Sequence, residues 1–232
     1  MPTTPILSDS RAPALLQSAA QWRLIALLFE PPEGPWHEQV ASLADEVDDP
    51  ALKQAAAAAL RPAEPGIPLE PVPGVAAADA SCSLYHSTFG PGGPAAAREV
   101  SYRKRTLPGP MLSELAAFYE AFGYRPALAE PPDHVAVEAG FVAFLRFKEA
   151  YAVTREQWEQ AAMAAEAAQR FQDDHLAMMA QPLATSLAAS GIEYLQLISA
   201  ALLDRVGPRP EPLADPPGDL PTLDDFECGA AE

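Results

Sequence analysis

Four residues whose side chains can bind ligands or move protons crowd into nine positions in the middle of the sequence: Glu130, Asp133, His134 and Glu138. On a helix that begins at Asp133, His134 and Glu138 stand at i and i+4, where their side chains can meet. A histidine beside a carboxylate can be half of a metal site, or part of a surface that binds a ligand or a protein. It can also be architectural, with Asp133 as the N-cap and the imidazole held by a neighbouring acid. Spacing alone leaves these readings open. A metal-dependent enzyme on a helical bundle would use His134 and Glu138 with a further ligand from His86 or His175.

Other chemistry is thinly represented. The sequence has no Gly-x-Ser-x-Gly elbow, no His-Glu-x-x-His and no Cys-x-x-Cys. The run Gly90-Pro91-Gly92-Gly93-Pro94 lacks the Lys-Ser/Thr of a phosphate loop and follows no obvious strand, so it reads as a plain loop. The two cysteines, Cys82 and Cys228, are far apart and outside any metal-ligand spacing, which suits reduced thiols in a cytoplasmic protein. The residues therefore assign no catalytic group, no metal and no cofactor.

The elements that must position the central cluster are helical. Leu15, Ala19, Trp22, Ile25 and Phe29 recur at helical spacing and predict a helix over Pro13–Phe29, ended by Pro31-Pro32. Further helices are predicted over Trp36–Val47, Ala51–Leu60 and Ala76–Phe89, while Arg98–Arg105 is polar, basic and partly irregular. Pro110–Phe122 carries an apolar stripe of Leu112, Leu115, Phe118, Tyr119 and Phe122, with Pro110 at the first helical position and Gly123 as C-terminal cap. Asp133–Tyr151 follows, with Val137, Phe141, Phe144 and Lys148 on one side and Leu145 and Phe147 widening the buried face. Arg155–Phe171 is another helix, and Pro182 opens a last one that runs to about Val206 with Gly191 inside it. No period-2 strand is evident. The expectation is an all-α, single multi-helix domain over residues 1–206, with about nine or ten helices and no sheet.

Two segments interrupt this pattern. Pro62–Pro73 holds five prolines in twelve residues and reads as an extended linker over residues 62–74. Gly207–Glu232, with six prolines and seven acids, reads as a disordered acidic tail. The whole chain of 232 residues has a formal net charge of −17, which argues against nucleic acid and anionic lipid as partners and favours basic ones. The N-terminus shows no signal peptide, and no stretch of 18 uncharged apolar residues occurs.

Three ordered motifs carry a resemblance. The first is Gly-Pro-Met-Leu-Ser-Glu-Leu-Ala-Ala-Phe-Tyr at 109–119, followed by Phe122-Gly123-Tyr124-Arg125-Pro126. The second is Glu130-Pro131-Pro132-Asp133-His134-Val135-Ala136-Val137-Glu138 and its continuation from Phe141 to Ala150. The third is Phe171-x-x-Asp174-His175-Leu176 with Pro182 shortly after. Together they span about Leu84–Leu203 and resemble the TorD/DmsD/NarJ family of molybdoenzyme-maturation chaperones, nearest to the delta-type chaperones of type II dimethyl-sulfoxide-reductase-family enzymes. The resemblance implies a TorD-like helical fold and a non-enzymatic role. Such a chaperone binds the N-terminal leader, often a twin-arginine signal, and the apo form of a molybdoenzyme catalytic subunit until its cofactor is inserted. It implies leader or client binding at Pro131, Asp133 and His134, with Glu130 joining them by position. Carboxylates suit that role because they accept guanidinium forks in bidentate pairs. The architecture also allows a monomer or a helix-swapped dimer. An unrelated helical adaptor would share every bulk property.

The charge of the tail suits it to compete with a basic peptide. Deleting Gly207–Glu232 is then expected to tighten leader binding at low salt, measured by titration calorimetry; unchanged affinity would reject the competition.

Overall fold

The computed structural model describes residues 11–61, 77–103 and 107–207. The proline-rich linker and, apart from Gly207, the acidic tail lie outside the described residues. Helix α1 spans Arg11–Leu28, α2 Trp36–Glu46, α3 Pro50–Ala59, α4 Ala77–Phe89, α5 Pro108–Phe122, α6 Val135–Thr154, α7 Trp158–Phe171, α8 Ala177–Ala188 and α9 Glu193–Val206. A 3-10 turn at Glu99–Tyr102 lies between α4 and α5, and a π turn at Gln172–Leu176 joins α7 to α8 without a break. Among the described residues there is no strand, only one isolated antiparallel bridge between Arg98 and His134. The all-α expectation holds.

The core is built around α6. Val135, Val137, Phe141, Val142 and Leu145 are buried along it, and α1 lies against its length. Trp22, Leu24, Ile25 and Phe29 close the other side of that contact. Phe141 stands at the centre of an aromatic cluster, with the rings of Tyr119 and Phe171 each centred 4.8 Å away and that of Tyr124 at 5.2 Å. Helix α7 packs beside α6, α8 lies beside the π turn, and α9 spans α3 and α8. One continuous apolar cluster joins residues from α1 to α9.

Gly140 lets the layers approach closely. A Cβ there would sit 2.6 Å from Tyr124 Oη, and that hydroxyl donates to the Val137 carbonyl at 3.3 Å. A second glycine is required by conformation: Gly123 adopts φ 71° and caps α5, as predicted.

Several boundaries differ from the expectation. Helix α5 starts earlier, with Pro108 rather than Pro110 at its first position and Leu107 as N-cap. Pro182 does not open a helix but lies inside α8, where it leaves the Met178 carbonyl without its usual N–H partner. Gly191 is not inside the last helix; at φ 73° it forms the break before α9. Phe147 does not widen the buried face but stays 54% exposed.

Replacing Phe141 by alanine is expected to cost about 3–5 kcal/mol, because its cavity is bounded by rings that cannot collapse inward. Urea denaturation would register the loss, and a cost under 1 kcal/mol would refute the central place given to this ring.

Candidate functional site

Residues 97–99 and 133–135 run side by side. Val135 N–H donates to the Ala97 carbonyl at 2.8 Å, and Glu99 N–H donates to the Asp133 carbonyl at 2.8 Å. Asp133, fully buried, completes the junction with its side chain. Its Oδ1 accepts from Arg98 Nε at 2.9 Å and its Oδ2 from the Val100 N–H at 3.3 Å. Tyr119 Oη donates to the Pro132 carbonyl at 2.7 Å and pins this segment from the α5 side. With its carboxylate so committed, Asp133 is not the N-cap of α6.

His134 takes that place. Its Nδ1 accepts from Ala136 N–H at 3.2 Å, so the ring proton sits on Nε2. Nε2 faces Tyr85 Oη at 3.1 Å, and Tyr85 Oη donates to the Phe29 carbonyl at 3.2 Å. The chain of donors is therefore His134 to Tyr85 to the end of α1, which ties α6, α4 and α1 together. The imidazole is buried, and burial pushes its pKa down to about 4, against the opposing pull of Asp133.

The expected meeting of His134 with Glu138 does not occur. Glu138 is fully buried and neither of its oxygens meets a donor. Burial, and then the neighbouring charge of Glu99, push its carboxyl well above the ordinary range. Both effects favour the protonated form of Glu138. Glu99, also fully buried, is held the other way. Burial raises it, but His175 and Arg103 outweigh that and hold its carboxyl below the usual value. His175 Nδ1 lies 3.1 Å from Glu99 Oε2, and Arg103 donates to the other oxygen. The π turn delivers His175 to this position, between the rings of Phe118 and Phe171.

This arrangement removes the metal-ligand reading of the cluster. Both nitrogens of His134 are engaged, neither bonds to Glu138, and these two belong to no group of three ligand atoms among the described residues.

The four expected binding residues are brought together but divided by depth. Asp133 and His134 are buried, whereas Glu130 and Pro131 remain partly exposed at the surface above them. Glu130 and Glu30 both lie near Tyr85, where their charges add to burial in raising its phenol. Upstream, the same α5–α6 loop forms one wall of a groove of about 650 Å³. Tyr124, Pro126, Ala127 and Leu128 line it with Leu16, Ala19 and Ala20 of α1, Gly140, Ala143, Phe144 and Phe147 of α6 and Leu43 of α2, and Arg125 adds a cation from the same loop. Glu30, Glu46 and Arg23 stand among the polar lining, and Arg23 is ion-paired with Glu30. An apolar groove and an acidic corner thus share one loop.

A family model described as "Nitrate reductase delta subunit" matches residues 38–185, which takes in α3 to α7, the bridge and the run Glu130–Glu138. The chain belongs to this family. It is the family of the TorD/NarJ chaperones, which mature molybdoenzymes. No curated protein matches the chain. Among the described residues no helix is long and apolar enough to cross a membrane.

Reasoning from sequence missed Tyr85, Arg98, Glu99 and Arg103 as members of the buried polar network around Asp133, His134 and Glu138. The available signal was the polar run Arg98–Arg105, whose acid and bases sit in an otherwise apolar middle third.

Because His134 is held neutral, its contribution to stability is full above its ordinary pKa of 6.5 and is lost as pH falls through about 4. The loss is on the order of 3 kcal/mol. His134→Asn keeps a capping oxygen and removes the titration, so its stability should fall less steeply than wild type between pH 6.5 and 4. The difference isolates the histidine, since Glu138 is common to both proteins. Parallel curves from urea melts across that range would show that the ring is not buried neutral.

Proposed function

We propose that the chain is a cytoplasmic chaperone for the catalytic subunit of a dimethyl-sulfoxide-reductase-family molybdoenzyme. It binds the N-terminal leader and the apo-subunit, holding it for molybdenum cofactor insertion and assembly before export. Family membership supports the maturation role. The observation that supports leader binding is the union of an acidic corner with an apolar groove on one α5–α6 loop.

A leader of the twin-arginine kind carries guanidinium groups next to an apolar stretch. Glu130, half-exposed beside Pro131, offers a carboxylate to the first part. The groove between α1, α2 and α6 offers exposed Leu16 and Phe147 to the second, taken as a helix along the groove. Asp133 and His134 belong to the same site as positioning residues. Their side chains are used up on Arg98, Val100, Ala136 and Tyr85, and they fix the loop that presents Glu130 and Pro131. The net charge of −17 speeds encounter with a basic peptide.

Glu130→Gln is expected to weaken binding of a twin-arginine leader peptide by roughly tenfold, equivalent to one charge-assisted hydrogen bond of about 1.5 kcal/mol, and to flatten its salt dependence. Phe147→Ser should weaken binding without that salt effect. Neither substitution touches the core, so thermal unfolding should stay unchanged. Wild-type affinity in the folded double variant, measured by fluorescence anisotropy, would overturn the reading.

A further inference from the structure

Away from the groove, Glu33, Cys82 and His86 converge. One ligand atom from each lies within 4.8 Å of the other two, and Cys82 Sγ is 3.8 Å from Glu33 Oε1. Cys82 and His86 stand at i and i+4 on α4, which places both on one face of the helix. Glu33 comes from the turn between α1 and α2.

Both sides of this cluster are built rigidly. Pro31 and Pro32 restrict the turn, Gly34 at φ 56° closes it, and Trp36 Nε1 anchors it by donating to the Leu27 carbonyl at 2.7 Å. On the other side, Tyr85 lies between Cys82 and His86 in sequence. Its hydroxyl is fixed between His134 and the Phe29 carbonyl. Helix α4 therefore cannot slide along α1 without breaking a buried hydrogen bond, and the three ligand atoms keep their spacing.

We propose that Glu33, Cys82 and His86 bind a divalent cation of the zinc type. A thiolate, a neutral imidazole and a carboxylate match the preference of Zn²⁺ for mixed sulfur, nitrogen and oxygen ligands. Bonds of roughly 2.0–2.3 Å to each need only a small inward closure of the exposed Glu33 and His86 side chains onto the half-buried Cys82. The thiolate and carboxylate together cancel the charge of the ion. Cys82 releases its thiol proton to solvent on binding, so affinity rises with pH. Three protein ligands leave a fourth position for water or for a donor from a bound protein. The site is distinct from the leader-binding proposal and stands without it.

The test uses the full chain, reduced and stripped of metal by a chelator, with Co²⁺ as the spectroscopic probe and Zn²⁺ as competitor. Wild type should develop a thiolate-to-cobalt charge-transfer band that one equivalent of Zn²⁺ abolishes. Cys82→Ser should lose the band, and Glu33→Gln and His86→Ala should each weaken Co²⁺ binding by at least about tenfold, the loss that follows even from removing an outer partner of a ligand. Cys228→Ser, which alters the other cysteine of the sequence, should keep the band. No band in wild type, a band that survives Cys82→Ser, or unchanged affinity in both Glu33→Gln and His86→Ala would overturn the assignment. Circular dichroism of each variant guards against misfolding.

Discussion

Asp133 gives up both carboxylate oxygens to one neighbouring segment, Oδ1 to Arg98 and Oδ2 to the Val100 N–H, and much else is fixed by that contact. With the aspartate committed sideways, α6 can begin only after His134. The histidine ring must then cap the helix with one nitrogen and reach Tyr85 with the other. Tyr85 in turn holds the end of α1. An ion pair between a buried carboxylate and a part-exposed guanidinium gives little net stability, since desolvation of Asp133 offsets much of the attraction, but removing Arg98 leaves an uncompensated charge in the interior. Its value here is positional. It determines where the loop leaves the core and therefore where Glu130 and Pro131 meet solvent.

The same logic runs one layer deeper. Glu99, Glu138 and His175 are all buried, and three ionised groups there would be hard to reconcile with an apolar core. The solution is unequal sharing of protons. His175 and Arg103 favour the charged form of Glu99, whereas burial and the charge of Glu99 favour the protonated form of Glu138 over the weaker pull of Arg103. Polar groups so arranged admit few alternative packings. The aromatic cluster around Phe141 fills the neighbouring space, so the rigid polar centre and the rigid apolar centre support each other.

Much of the helical framework was legible in the sequence because it rests on local physics. Apolar spacing located α1, α5 and α6 to within a few residues, and Gly123 caps α5 as its type suggests. The errors arose where a distant contact outweighed local preference. Asp133 is a better N-cap than His134 on propensity, but Arg98 and Val100, more than thirty residues away, claim it. Pro182 is a natural helix starter, yet the continuous rod of α7, π turn and α8 carries it in its interior. Phe147 fits an apolar pattern and is nevertheless left in the open at a groove. Pro131, Asp133 and His134 were expected from a likeness to a family and Glu130 from its position, and depth divides the four into two buried and two nearer the surface, which no spacing rule conveys.

The π turn at Gln172–Leu176 has a consequence for how this chain can change length. Each helical residue advances the side-chain direction by about 100°, and the wider turn absorbs that angle once, between two halves that pack on different neighbours. Removing a single residue there would rotate all of α8 relative to α7, turning Leu183 and Leu187 out of the core and taking His175 away from Glu99. Insertions and deletions that surface loops absorb readily are thus barred from this rod, whose length is locked to the spacing of its partners as firmly as a key is to its wards.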